Sequence, residues 1–153
     1  MFQSEEDTMR HEDSTGYVNT FIAVADDCPV TRGLVPTARG PKKTVAMLQY
    51  DLLAGNPHQL TQDDVLFTTW LKQRELAGDD VGSDLDALRQ NFFSVPKACL
   101  RASPLPKTHG WGLRFDDQGR VALCAMDSPA YQDAVTGRLP GITVVKAMRS
   151  RRA

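Results

Sequence analysis

The apolar pattern changes period partway along the chain, and that change limits the folds open to it. Between residues 44 and 92 apolar side chains recur every three or four positions, as on one face of a helix; between 111 and 125 they alternate, as on a strand. Val45, Leu48 and Leu52 mark a helix over 44–54 that stops at Gly55. Thr61 caps a second, with Asp63 and Asp64 in its first turn, where negative charge suits the helix dipole, and with Phe67, Trp70 and Leu71 on one face. Ser83 caps a third, carrying Leu85, Leu88 and Phe92. In the alternating part, Trp111, Leu113 and Phe115 precede a turn at 116–119, and Val121, Leu123 and Ala125 follow it, which predicts a hairpin. Residues 17–25 read as a strand, with Val18, Ile22 and Val24 on one parity and Tyr17 and Phe21 on the other. Residues 98–105 also read as a strand, ending at Pro104 and Pro106. Ser128 and Pro129 open a last helix, Gly137 ends it, and 142–148 reads as the closing strand. The expected order is β-α-α-α-β-β-β-α-β. Helices bunch instead of alternating with strands, so the fold class is α+β: a largely antiparallel sheet of about five strands with helices packed on one face.

Residues 17–153 are expected to form a single α+β domain, a length that can hold a core without staples. Residues 1–16 lack apolar periodicity and carry Glu5, Glu6, Asp7, Glu12 and Asp13 against Arg10, so they read as a disordered acidic tail and not as a secretory leader. No apolar run approaches the ~18 residues a membrane span needs. Cys28, Cys99 and Cys124 are odd in number and form no C-x-x-C pair, which points to a reducing, cytoplasmic setting. Cys99 and Cys124 fall in expected strands, as small buried hydrophobes. Residues 26–41 hold three prolines and two glycines and read as a long loop.

Net charge is -1, but unevenly spread. Residues 1–96 carry 8 Lys and Arg against 15 Asp and Glu; residues 97–153 carry 10 against 4. The basic half could serve an anionic partner. Familiar nucleotide motifs are missing: Lys42 and Lys43 follow Gly40 and Pro41 without the glycine spacing of a phosphate loop, and no G-x-G-x-x-G occurs. His11, His58 and His109 lie apart, without metal-ligand spacing, so no metal or cofactor is expected. Cys28 follows Asp26 and Asp27, whose charges oppose a reactive thiolate. The richest constellation is Arg101, Ser103, Lys107, His109, Trp111 and Arg114. On a strand, Arg101 and Ser103 would project on one side. Gly110 and Gly112 would let backbone approach closely, and Arg, His and Trp together suit a planar anion. If the last strand returns beside 98–105, Lys146 and Arg149 come near Arg101.

Several blocks also carry a resemblance: YVNTFIAVADDCPV, GPKKTVAMLQYDLL, NPHQLTQDDVLF, RASPLPKTHGWGL and the ending KAMRSRRA. In that order they resemble a family of small uncharacterised bacterial proteins built on a domain of unknown function. The resemblance runs from about Tyr17 to Ala153; it implies a compact cytoplasmic domain and brings no activity or catalytic residue with it. The expectation for function is a non-catalytic binding or interaction module with a basic, anion-accepting face formed from Arg101, Ser103, Lys107, His109, Trp111, Lys146 and Arg149. Its partner would be a small anionic ligand or an acidic protein surface. Nucleic acid is disfavoured, because the basic end lacks interleaved aromatics and no recognition motif occurs. The alternative is a small enzyme acting on an anionic metabolite through Arg101 and His109.

Overall fold

The computed structural model describes residues 17–38 and 40–150. The acidic tail and the basic residues Arg39, Arg151 and Arg152 therefore lie outside the described residues. The elements are β1 (Thr20–Ala23), α1 (Val45–Gly55), β2 (Leu60–Thr61), α2 (Gln62–Leu76), α3 (Leu85–Phe92), a 3-10 turn (Leu100–Ala102), α4 (Pro104–Thr108), β3 (Trp111–Phe115), β4 (Arg120–Ala125), α5 (Pro129–Val135) and β5 (Thr143–Lys146). The fold is α+β. Among the described residues no helix is long and apolar enough to cross a membrane.

The helix starts follow local chemistry. Thr44 Oγ accepts from Met47 N at 3.2 Å and caps α1. At α2 the Thr61 hydroxyl accepts from Asp64 N (3.2 Å) while the Asp64 carboxylate accepts from Thr61 N (3.0 Å), satisfying two end groups reciprocally. Ser128 caps α5, with Pro129 in its first turn. The cap of α3 is Asp84, one residue beyond the expected Ser83. The β3–β4 hairpin closes over four residues, where Asp116 Oδ1 accepts from Gln118 N and Arg120 N, both at 2.9 Å. Burial alone would raise the Asp116 pKa; those two N–H groups, together with the neighbouring His58 and Arg120, outweigh it and hold the carboxylate below its ordinary range.

The five strands form one sheet in the order β2-β4-β3-β1-β5. Among the described residues only the β1–β5 pair is parallel and the other three pairings are antiparallel, so the sheet is mixed. The segment 98–105 is not a strand. It forms the 3-10 turn and then α4, because Ser103 accepts from Leu105 N at 3.2 Å as a helix cap and Pro104 and Pro106 have no N–H to give a ladder. In its place β2, two residues long, extends the far edge, and the observed order is β-α-β-α-α-α-β-β-α-β once the 3-10 turn is set aside.

Helices occupy both faces of the sheet, not one. Ile22, Leu113, Phe115 and Val121 pack with Leu53 of α1, Val65 of α2, Leu100 and Leu105. On the other face Phe21 and Ala23 pack with Tyr131 and Ala134 of α5. Fully burying a large apolar side chain contributes about 1.5–3 kcal/mol, so the first cluster dominates. Gly112 makes room for the second: a Cβ there would lie 2.7 Å from the Phe21 ring. α3 buries no residue and packs sideways on α2 through Phe67, Trp70 and Phe92. Arg89 and Lys97 lie over Phe67 and Phe92 there, at 5.7 and 4.1 Å from the ring centres.

Candidate functional site

Because β1 and β5 run parallel, both chains leave the sheet at the same end. Ala147 N donates to Ala23 O at 2.8 Å as the last rung, and Met148 N then donates to Arg101 O at 2.9 Å. Arg101 returns the bond: its Nε donates to Lys146 O at 2.6 Å. The last strand therefore does not pair beside 98–105, as one expected route had it, yet Lys146 still meets Arg101. The 3-10 turn folds over the end of β5 and caps an open edge of the sheet. Ala25 N donates to Pro106 O at 2.9 Å, which brings α4, with Lys107 on it, to the same end.

Two carboxylates follow β1 at this end. Asp26 pairs with Lys146 at 2.8 Å, both side chains about 60% exposed. Asp27 accepts from Ser150 N at 3.0 and 3.2 Å. Arg149 is exposed. Beside Arg101, the Tyr17 hydroxyl lies 3.3 Å from Cys99 Sγ. Burial, then the contact with the Cys99 thiol, pushes Tyr17 up to about 12, while the Arg101 charge pulls it the other way.

The other expected site residues lie elsewhere or face inward. Ser103 is buried and donates to Gln49 Oε1 at 2.6 Å. Arg101 and Ser103 do not share a strand face, since no strand is there. Trp111 Nε1 donates to Leu34 O at 2.8 Å, and its ring lies 5.4 Å from Tyr50. His109 Nδ1 lies 2.8 Å from Thr108 Oγ1 and 3.2 Å from Pro104 O, within its own short helix. Arg114 is exposed on β3, between the buried Leu113 and Phe115. Gly110 does admit backbone: its φ is +79°, and a Cβ there would stand 2.2 Å from Arg32 O. The structure thus sets the Arg101 side chain against the backbone of Lys146 and brings the segments that carry Lys107 and Arg149 to the same end of the sheet, while Ser103 and Trp111 bond inward.

Asp26 and Asp27 are the members that sequence reasoning did not place in the site; their position directly after a strand was the available signal. Lys43 pairs with Asp51 at 3.2 Å. All three thiols are free and half-buried. Cys99 precedes the 3-10 turn and is not a strand residue, whereas Cys124 lies on β4 and is raised by burial. Among the described residues no group of three or more His, Cys, Asp or Glu side chains could hold a metal ion.

The segments that meet at the end of β1 and β5 include the basic residues Arg101, Lys107, Lys146 and Arg149 and the acidic residues Asp26 and Asp27. Like charges brought together repel, and a counter-charge offsets that repulsion. The Arg101 fork, with Nε committed to a carbonyl, keeps its paired Nη end for a carboxylate or phosphate. No curated protein and no solved structure matches the chain. A family of unknown function, DUF6157, is matched over residues 12–153, and the chain belongs to that family.

Proposed function

We propose that the protein is a non-catalytic binding module that takes a phosphate- or carboxylate-bearing partner on the face formed by Arg101, Lys107, Lys146 and Arg149. The observation that carries this reading is the reciprocal bonding of Arg101 with the end of β5. It fixes the Arg101 guanidinium against the backbone of Lys146, 45 residues away in sequence, so that two basic residues meet at one end of the sheet. Asp26 is a replaceable counter-ion, because an exposed ion pair is worth only about 0–1 kcal/mol. Binding is favoured over acid–base catalysis because no contact among the described residues joins His109 to Arg101; the His109 Nδ1 lies beside Thr108 Oγ1 and Pro104 O. The setting is cytoplasmic, in keeping with three unpaired cysteines.

The test compares melting temperature in sulfate, phosphate and chloride at equal ionic strength. A ligand that binds only the native state stabilises it by about 2.7 kcal/mol at one hundred times its Kd. Sulfate also strengthens apolar burial in general, so the readout is the difference between parent and variant. Arg149→Glu and Lys107→Glu should remove the extra stabilisation by sulfate and phosphate. Equal responses of parent and variants to all three salts would sink the reading.

A further inference from the structure

Between α1 and α2 lies a cleft of about 380 Å³, within the size range of small-molecule sites. Leu48 and Leu52, one turn apart on α1, and Leu76 at the end of α2 supply its apolar lining. Leu76 is 51% exposed although it faces a concave surface. Charges of both signs ring the leucines. Lys43 pairs with Asp51 at 3.2 Å, and Lys72 lies 4.0 Å from Glu75. All four side chains are at least half exposed, so neither pair is strong enough to resist exchange with a ligand.

The charged lining sums to zero, with two cations and two anions. A ligand bearing one charge would be repelled by half of it. A ligand with both charges and an apolar body suits the charged and apolar lining: carboxylate toward Lys43 and Lys72, ammonium toward Asp51 and Glu75, side chain on the leucines. We propose that this cleft binds a small apolar zwitterion, of which free leucine and phenylalanine are the simplest forms. The site is separate from the basic face, and its test does not depend on that reading.

The experiment is an amide NMR titration of the full chain with L-leucine and L-phenylalanine. Glycine, isocaproate and isoamylamine serve as probes that lack the apolar body, the ammonium and the carboxylate respectively. Leucine and phenylalanine should give saturable shifts confined to the ends of α1 and α2, and each truncated probe should bind at least about tenfold more weakly. Leu76→Asp, a change at an exposed position, should abolish the shifts while leaving the circular dichroism spectrum unchanged. The proposal is overturned if neither amino acid gives saturable shifts, if glycine binds as well as leucine, or if Leu76→Asp binds leucine like the parent.

Discussion

Replacing Ser103 by alanine separates a structural serine from a ligand-binding one. The hydroxyl serves two partners at once: it accepts from Leu105 N at 3.2 Å and donates to Gln49 Oε1 at 2.6 Å, all in the interior. Loss of a helix cap costs about 1 kcal/mol. Leaving the buried Gln49 oxygen without its donor costs about 1–3 kcal/mol more. Ser103→Ala should therefore destabilise by about 2–4 kcal/mol, which for a chain of this size is a Tm drop of about 4–16 °C. Urea denaturation gives the same quantity as a lower midpoint at unchanged slope. Adding Gln49→Leu to Ser103→Ala should recover the glutamine share, because removing both partners of a buried bond costs less than removing one. A loss below about 0.5 kcal/mol for the single change, or no recovery in the double, would refute this assignment.

Gly110→Ala should cost more than about 3 kcal/mol, since it adds a Cβ overlapping Arg32 O to the penalty of positive φ. Gly137→Ala, at the same φ of +79° but with nothing within 4 Å, should cost only about 1 kcal/mol; equal melting temperatures for the two variants would contradict the close approach. Tyr17 holds its proton more tightly in the folded chain, so its contribution to stability is whole below pH 10.0 and is lost as pH rises toward about 12. An absorbance titration should show Tyr17 ionising late, together with Tyr131, which burial also raises, and Tyr17→Phe should lessen the alkaline loss of stability; a parent-like loss in that variant would count against it. Cys124, raised by burial, should react with a thiol reagent in native buffer far more slowly than after denaturation, and equal rates would contradict its burial.

What was legible in the sequence is mostly local chemistry. Thr61 and Ser128 announce their helices because a cap acts within four residues, and the hairpin at 116–119 is equally self-contained. The misreading of 98–105 has the same kind of cause. Ser103 and Pro104 repeat the signal that Ser128 and Pro129 give for α5, but two prolines close together and an alternating Arg101 and Ser103 suggested the end of a strand. β2 is too short to show alternation. The β1–β5 pairing joins residues more than 120 positions apart, and no local pattern encodes it. For the site, that distant pairing is what matters. Charge composition set most of the basic residues in the second half of the chain; the parallel register is what brings Asp26, Lys146 and Arg101 together.

The central claim is that a defined cationic face at the end of β1 and β5 receives an anion. A titration of the full chain with inorganic phosphate at fixed ionic strength, followed by amide NMR, tests it most directly. The account predicts saturable shifts at Arg101, Lys107 and residues 146–150, with the amides of β2 and the β3–β4 turn unmoved. Shifts that grow without saturation, spread alike over Arg101, Lys72 and Arg138, would contradict it.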